Sequence, residues 1–384
     1  MMKKAVSSGF FGLLCALLLL SGTTGRADAA GAVNKTANPM KVNGKSVSVN
    51  ESDIKNRSKY LDISKVIEFT KKAKGPVRYK KLSGNRKILV DPATGKITLM
   101  KGLGRGTYTV NVRVLAKGNN NYKKKNTDVK CTIQVYKKAG TSKRVSFKGK
   151  NYKLSLSDDF NTFNKNKWAF CPQIKRADLG GEWRNSCTGV KNGKLIITCK
   201  TAKNGTPISG GIRSTGKYEQ TCGLYHIRFK AEKANGLWYA FWLLTDKMND
   251  SSVGNGATDG AELDIIELVP YTGELEMSVH WDGYNKKHLK SKFEFVHVND
   301  DFYGRYHELW YVWDKKGYRL YLDGTDKESL LFDFPGKKYG NGTCAVPCDL
   351  LISAEFGKWG GKIKKSQLPA HLYVDYVRVY KETV

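Results

Sequence analysis

The sequence predicts an all-β protein built from two successive β-sandwich domains. Helical periodicity is nearly absent, whereas short runs of β-branched and aromatic residues recur between Gly, Asn, Asp and Lys clusters at strand spacing. Charge divides the chain into two parts. Residues 30–150 carry 30 Lys and Arg against 6 Asp and Glu, a net charge of +24, whereas residues 151–384 carry 33 against 28, a net charge of +5.

The amino terminus predicts export. A charged start is followed by an apolar stretch at residues 10–20 and by an A-x-A site that ends at Ala29. This order is typical of a signal peptide, and the apolar stretch is shorter than the roughly 20 residues of a membrane span. We expect a signal peptide at residues 1–29 and a secreted, extracellular or cell-surface protein with no membrane span. An uncleaved anchor is the alternative.

The cysteines leave their pairing open. Eight are present, and Cys15 lies within the predicted signal peptide, so an odd number remains after cleavage. Two pairs of loop cysteines, Cys171 with Cys187 and Cys344 with Cys348, are candidate disulfides in an exported chain. A zinc site is not expected, because neither a CxxC pair nor a Cys/His cluster of zinc spacing occurs.

Two alternating segments indicate strands in the first domain. Residues 106–114 and 129–136 alternate apolar and polar side chains and are separated by the polar stretch 117–122. Together with the turn at residues 91–97, they resemble the closing part of a bacterial immunoglobulin-like module. The expected organisation is an accessory domain at residues 30–138, a linker at 139–150 and a larger two-sheet sandwich at 151–384.

The segment ELDIIE at residues 262–267 holds the most informative side chains. On a helix, Glu262, Asp264 and Glu267 would scatter around the circumference, and their apolar neighbours are strand formers. A regular strand would turn Glu267 to the opposite face, but a β-bulge restores all three acids to one face. Acids gathered on an otherwise apolar strand repel one another, which favours a functional site over a solvent-facing stripe.

Aromatic residues near this strand suit sugar binding. Residues 236–244, GLWYAFWLL, place Trp238 and Trp242 on one strand, and Trp rings offer flat apolar faces to pyranose rings. An aromatic strand of the core is the alternative interpretation. The candidate substrate-binding residues are Trp183, Arg213, Trp238, Trp242, His280 and Trp281.

Residues 262–267 resemble the bulged ExDxxE signature of glycoside hydrolase family 16, in its laminarinase-like form. Further segments match the family in order, with Asp159 in place of the usual Glu and Tyr239 in place of Pro. These segments are SDDFN at 157–161 with Trp168, GLWYAFWLL at 236–244, HW at 280–281, YLDG at 321–324 and VDYVRVY at 374–380. The resemblance covers nearly all of residues 155–384.

This resemblance implies a jelly-roll fold and an endo-acting, retaining glycoside hydrolase. Glu262 would be the nucleophile and Glu267 the acid/base, which requires carboxyl groups about 5–5.5 Å apart. Asp264 would position Glu262 and help to keep the two pKa values apart, and His280 would be a hydrogen-bonding partner near the acid/base. The resemblance also implies a structural calcium ion with Asp375 as one ligand. No organic cofactor is expected, since neither GxGxxG nor a P-loop occurs.

The substrate is expected to be a polysaccharide, with β-1,3-glucan as the first choice. Three alternatives stay open, namely a hydrolase of an anionic or sulfated galactan, a transglycosylase on the same scaffold, and an inactive carbohydrate-binding sandwich. The family's covalent intermediate can pass to water or to a sugar hydroxyl, and the sequence does not decide between them.

The basic charge of residues 30–138 favours attachment to polyanions such as anionic cell-envelope polymers. A soluble lysine-rich spacer is the alternative. Nucleic acid is not an expected partner, because the chain is exported and no nucleic-acid module is recognised. We expect a monomer.

Overall fold

The structure is a computed structural model that describes residues 34–136, 140–176, 180–249, 257–284, 289–290, 294–336 and 342–383. The predicted signal peptide at residues 1–29 lies outside these residues. Strands form nearly all of the regular structure, which confirms the all-β prediction. Among the described residues, no helix has the length and apolar character needed to cross a membrane.

The first domain contains nine strands in the described chain. They are β1 Lys41–Gly44, β2 Ser46–Asn50, β3 Lys59–Leu61, β4 Ile67–Lys71, β5 Val77–Ser83, β6 Ile88–Val90, β7 Ile97–Leu99, β8 Gly106–Ala116 and β9 Lys125–Tyr136. The short helical segments are α1 Ser52–Lys55 and the 3-10 turn Ile63–Lys65.

The strands predicted at residues 106–114 and 129–136 are confirmed as β8 and β9. They pair in antiparallel register from Gly106↔Val135 to Ala116↔Lys125 and form the centre of a sheet in the order β2-β9-β8-β5. Alternate residues of both strands, such as Val112 and Ile133, are fully buried in a core of the domain's own. The likeness to an immunoglobulin-like module stays a prediction.

The second domain continues the strand numbering. Its strands are β10 Arg144–Phe147, β11 Lys150–Asp158, β12 Ala169–Phe170, β13 Lys175–Arg176, β14 Gly181–Trp183, β15 Thr188–Val190, β16 Leu195–Thr201, β17 Pro207–Ser209, β18 Gly211–Arg213, β19 Glu219–Gln220, β20 Gly223–Ala231, β21 Leu237–Leu244, β22 Glu262–Val269, β23 Glu274–Trp281, β24 Leu289–Lys290, β25 Glu294–His297, β26 His307–Asp314, β27 Gly317–Leu322, β28 Leu330–Pro335, β29 Cys348–Phe356 and β30 Ala370–Thr383. Short 3-10 turns span Asn185–Cys187, Asp246–Asn249, Asp300–Phe302, Lys358–Gly360 and Lys365–Gln367.

Two large sheets of the second domain enclose one core. The back sheet has twelve strands, with β30 and β20 at its centre, and the site sheet follows the order β12-β18-β29-β21-β22-β23-β24, with β19 beside β29 and β25 beside β23. Every second residue of β21, for example Phe241, faces the core, as do Leu263 of β22 and Ile352 of β29. This sandwich confirms the predicted fold class. The residues between them face outward from the site sheet.

Part of the predicted linker at residues 139–150 is a strand. Arg144–Phe147 pairs with the start of β11, from Arg144↔Lys153 to Phe147↔Lys150. The turn between them is formed by Lys148 and Gly149, both with positive φ (49° and 77°), the backbone that two-residue hairpins favour. The linker prediction is therefore too long at its carboxyl end.

The two domains meet on the outer side of the back sheet. The Gln134 side chain donates to the Tyr306 carbonyl at 2.8 Å and accepts from the Tyr306 N–H at 2.9 Å. The Arg228 guanidinium lies 3.8 Å from the ring centroid of Tyr136 and 4.1 Å from that of Tyr306. Lys130 and Asp301 form an ion pair across the same junction at 2.9 Å. The junction leaves the outward face of the site sheet open.

All seven cysteines of the described chain are thiols. The sulfur atoms of Cys344 and Cys348 lie 3.7 Å apart in the buried segment that leads into β29. Neither predicted disulfide is formed in this structure.

Candidate active site

A β-bulge in β22 brings the three acids of the ELDIIE segment together. On the β21 side, Phe241 pairs with Ile266 but the next residue, Trp242, pairs with Asp264, so Ile265 has no partner. The register to β23 shifts at the same place. Ile265 and Ile266 both face the core, and the acids lie on the outward face. The bulge predicted from the sequence is confirmed.

Asp264 lies at the centre of a hydrogen-bonded group on two neighbouring strands. The Ser278 hydroxyl donates to Asp264 Oδ2 at 2.8 Å, and His280 Nε2 lies 3.1 Å from Ser278 Oγ and 3.3 Å from Asp264 Oδ2. Asp264 is 5% exposed. His280 pairs with Glu262 across the strands, so it lies at the Glu262 end of the site rather than beside Glu267. This placement corrects the prediction of a contact with the acid/base.

Glu262 is partly buried and accepts a hydrogen bond from the Tyr284 hydroxyl. Its burial, followed by the charge of Asp264, raises its pKa to about 8, whereas the Tyr284 hydrogen bond and nearby His280 act in the opposite direction. These two contacts favour the ionised form of Glu262 and oppose the effect of its burial.

Glu267 has surroundings that favour its protonated form. Burial raises its pKa well above the ordinary glutamate value, and four carboxylates add to the rise. In order of effect, they belong to Asp264, Glu276, Glu262 and Glu355. Glu262 thus has two neighbours that lower its pKa, Tyr284 and His280, whereas the charges that shift the pKa of Glu267 are all carboxylates that raise it. This contrast in neighbours suits a nucleophile at Glu262 and a proton donor at Glu267.

A cation could in principle lie within this group. The ligand atoms of Glu262, Asp264 and His280 lie within 4.8 Å of one another. Acids are often clustered without a metal, and each of the three side chains already has a hydrogen-bond partner. The cluster therefore carries no metal assignment.

Further carboxylates line the same face, and the sequence analysis missed them. Glu276 is the direct partner of Glu267 on β23, and Asp349 and Glu355 lie on β29, where alternate residues face outward from the core. All three are less than 9% exposed. The period-two alternation of residues 274–281 and 348–356 shows which side chains of each strand share a face. It points to the site only when the strands that lie beside β22 and β21 are known.

The tryptophans separate into outward and inward groups. Trp242 faces outward, is partly exposed, and donates its indole N–H to Ser353 Oγ at 3.1 Å. Trp238 lies on the same face but is covered by Trp359, with ring centroids 5.4 Å apart. Trp359 is 36% exposed and was not predicted. It adds an accessible aromatic ring beside the acids.

Two predicted substrate-binding tryptophans are corrected by the structure. Trp281 is 6% exposed and belongs to the core between the sheets, because it follows outward-facing His280 by one residue. Trp183 is 4% exposed and donates its indole N–H to the Ala354 carbonyl at 3.2 Å. Buried in this way, neither ring presents a face to a sugar.

Arg213 lies on the outward face, since its neighbour Ile212 is in the core. It occupies the same cross-strand row as Trp242 and Asp264, because Arg213 and Trp242 both pair with Leu351 of β29. Its Nε atom is buried and has no acceptor in the described part of the chain. Its role in substrate binding stays a prediction.

A cavity of about 220 Å³ opens at the Glu262 end of this face. Its lining combines three acids and one lysine with one threonine and three apolar residues, and consists of Glu219, Leu244, Thr245, Asp246, Lys247, Val346, Pro347 and Asp349. Asp349 is the cross-strand neighbour of Leu244, which in turn pairs with Glu262. The cavity therefore extends the row that contains Glu262.

Asp375 does not fit the calcium ligand that the sequence analysis expected. Its carboxylate accepts a hydrogen bond from Arg228 at 2.7 Å, and Lys194 lies 3.9 Å from its other oxygen. The side chain is 1% exposed. Two cations already balance this carboxylate, and a divalent ion in the same place would be repelled by the guanidinium. These contacts do not suit Asp375 as a calcium ligand, and a structural calcium ion elsewhere stays a prediction.

Much of the second domain matches a known protein family. Residues 176–376 match the family model described as Glycosyl hydrolases family 16. Keratan-sulfate endo-1,4-beta-galactosidase of Sphingobacterium multivorum is 26% identical over 285 residues, covering 67% of this chain and 63% of that protein. This chain thus spans less than two thirds of that relative. Beta-glucanase of Rhodothermus marinus is 26% identical over 267 residues, covering 62% of this chain and 87% of that protein.

Among solved structures, endo-beta-1,3-glucanase from Pyrococcus furiosus aligns with a TM-score of 0.52 and 23% identity. The alignment covers 63% of this chain and 99% of that one. At this identity the likeness supports the fold of the second domain alone.

Proposed function

Because this chain belongs to glycosyl hydrolase family 16, we propose that it is a retaining endo-glycosidase of the bulged, laminarinase-like subgroup. One observation carries the proposal. The bulge at Ile265 places Glu262, Asp264 and Glu267 together on the outward face of the site sheet, with Arg213 and Trp242 in the row of Asp264.

The proposed reaction is a double displacement. The Glu262 carboxylate attacks the anomeric carbon, while Glu267 gives its proton to the departing glycosidic oxygen. Glu267, now ionised, takes a proton from water, and the resulting hydroxide attacks the anomeric carbon and releases Glu262. Two inversions leave the anomeric configuration retained. Asp264 accepts a hydrogen bond from Ser278 and keeps the Glu262 side chain in position during both displacements.

We propose a neutral β-1,3-glucan as the substrate. The outward face carries many acidic side chains, among them those of Glu262, Asp264, Glu267, Glu276, Asp349 and Glu355. Such a face repels polyanions and accepts uncharged hydroxyl-rich chains. The similarity to a beta-glucanase from Rhodothermus marinus supports the same choice.

An anionic galactan is the second candidate. It is favoured by the similarity to a keratan-sulfate endo-1,4-beta-galactosidase and by Arg213, whose Nε atom has no acceptor in the described residues. A guanidinium can hold a sulfate by two parallel hydrogen bonds.

The deciding experiment incubates the purified protein with β-1,3-glucan, mixed-linkage glucan, agarose, carrageenan, keratan sulfate and xyloglucan. We expect new reducing ends and oligosaccharides of several lengths from β-1,3-glucan. Products longer than the substrate would instead indicate transglycosylation. Binding without any new reducing ends would favour the inactive carbohydrate-binding sandwich and contradict the proposal.

We propose further that the first domain is an immunoglobulin-like accessory module of an exported protein, and that it attaches to anionic cell-envelope polymers. The net charge of +24 in residues 30–150 supports this role. The module's junction with the second domain lies on the back sheet, on the other side of the molecule from the acids. Attachment and catalysis can therefore occur together.

A further inference from the structure

Glu276 stands directly opposite Glu267. The two residues are cross-strand partners of β22 and β23, immediately after the bulge, and both face outward from the core. Side chains of directly opposed residues have Cβ atoms about 4.5–5.5 Å apart. Glu276 is 8% exposed, so water screens its charge only weakly.

We propose that Glu276 is a positioning residue of the reaction, whose carboxylate holds the proton on Glu267 at neutral and mildly alkaline pH. The inference rests on the proposed function, in which Glu267 must be protonated to start the reaction. Glu276 does not touch the bond that breaks. It acts through Glu267.

The groups around Glu267 support this assignment. Its own strand contributes Glu262 and Asp264, which have other tasks as nucleophile and positioning group. On β21 its partner is the uncharged Ala240, and β29 contributes Glu355 one row away. On β23, His280 lies at the Glu262 end of the site. Glu276 is thus the one carboxylate of the described residues that opposes Glu267 in its own row and has no other place in the mechanism.

The effect has a definite sign. An ionised Glu276 disfavours a second negative charge on Glu267, so Glu267 keeps its proton to higher pH. Among the charges that raise the pKa of Glu267, that of Glu276 ranks second after Asp264. The alkaline limb of kcat/KM reports the acid of the free enzyme. It should therefore move to lower pH when the charge of Glu276 is removed.

The test compares pH profiles of wild type and Glu276→Gln on the cleaved polysaccharide. We expect the alkaline limb to move to lower pH by about one pH unit or more, because one neighbouring negative charge is removed, while the acidic limb moves less. On an aryl glycoside with a good leaving group, proton donation no longer limits the first step. There the two alkaline limbs should nearly coincide, which a merely structural role of Glu276 would not produce.

Glu274→Gln is the matched control. Glu274 belongs to the same strand and the same face, but it pairs with Val269 and accepts a hydrogen bond from Thr272. Its substitution removes the same charge two residues farther along. We expect its alkaline limb to lie within about 0.3 pH units of the wild-type limb, because a more distant, more exposed charge affects Glu267 only weakly. Equal shifts in both variants would mean that the net charge of the site causes the effect. That result would overturn the assignment to Glu276.

A direct titration separates this inference from the proposed function. Carbon-13 NMR of the Glu267 carboxyl, in protein labelled at glutamate, follows its protonation without any substrate. A lower midpoint in Glu276→Gln supports the inference even if no polysaccharide is cleaved. Equal midpoints in wild type and variant overturn it, even if the enzyme is active.

Discussion

Glu262 and Glu267 share one face of a strand but have different neighbours. Glu262 accepts a hydrogen bond from Tyr284 and lies across from His280, whereas Glu267 lies across from Glu276. A hydrogen-bond donor favours an ionised carboxyl, and a second acid favours a protonated one. Both residues are glutamates, so their different roles as nucleophile and acid/base must come from these different neighbours.

Azide rescue tests this assignment. We expect Glu262→Ala and Glu267→Ala each to lower turnover of the polysaccharide by about 10³-fold or more. Azide should rescue Glu262→Ala with a glycosyl azide of inverted configuration, because it replaces the nucleophile. Azide should rescue Glu267→Ala with a glycosyl azide of retained configuration, because here it replaces the attacking water. NMR of the products on an activated aryl glycoside checks the outcome, and exchanged configurations would refute the roles.

Asp264→Asn tests the middle acid. The amide keeps the size of the side chain but removes a charge that raises the pKa of both glutamates. We therefore expect both limbs of the pH profile to move to lower pH. The rate at the optimum should fall by about 10- to 100-fold, since one to three kcal/mol of positioning is lost. An alkaline limb that stays in place would contradict this account.

At the scale of the element, strand alternation decides which aromatic residues can meet a substrate. Trp242 of β21 faces outward beside the acids, while Trp281 of β23 faces the core. The two residues are of the same type and lie on strands that flank β22. Their substitutions should therefore have different consequences.

Trp242→Ala should raise KM by roughly 3- to 10-fold, the equivalent of one aromatic stacking contact, with little change in the melting temperature. Trp281→Ala should lower the free energy of unfolding by about 3–5 kcal/mol, the cost of a large-to-small change in a core. Kinetics and urea unfolding of both variants supply the measurement. A rise in KM confined to Trp281→Ala would mean that the faces are assigned wrongly.

At the scale of the whole molecule, the junction between the domains is built around one buried cation. Arg228 lies between Tyr136 of the first domain and Tyr306 of the second, and its guanidinium donates to Asp375. The first domain thus covers an ion pair that would otherwise face water. We therefore expect the first domain to contribute to the stability of the second.

We expect Arg228→Ala to lower the free energy of unfolding by about 3–5 kcal/mol, because the carboxylate of Asp375 stays buried and loses its principal partner. Thermal or urea unfolding measures this change. Arg113→Ala is the control, because the Arg113–Asp128 pair is exposed on the first domain, and exposed pairs contribute little. A similar loss in both variants would contradict the special role of the junction.

The charge of the first domain makes a second prediction at this scale. The full chain should be retained on an anionic polysaccharide matrix at low ionic strength and released steeply as salt rises, because attachment by many lysines depends on screening. A chain that begins at residue 140 should pass through. Hydrolysis of a short neutral oligosaccharide should vary little over the same salt range. If the full chain is not retained at low salt, the attachment proposal is wrong and the first domain is better described as a lysine-rich spacer.

Patterns along the chain predicted the fold class and the grouping of the three acids on one face of a strand. Alternation in residues 106–114 and 129–136 predicted β8 and β9, and the offsets of Glu262, Asp264 and Glu267 required the bulge that the structure contains. Both inferences depend on neighbours along the chain. A period of two, and an odd offset that breaks it, can be read from a single segment.

Contacts that depend on strand pairing could be found only in the folded structure. It shows Trp281 in the core, Glu276 opposite Glu267, and Asp375 paired with Arg228. Alternation states that two residues of one strand share a face, but it does not state which face is buried or which distant strand lies beside it. Those partners are chosen by burial of the whole core, so contacts between separate segments appear only in the folded chain.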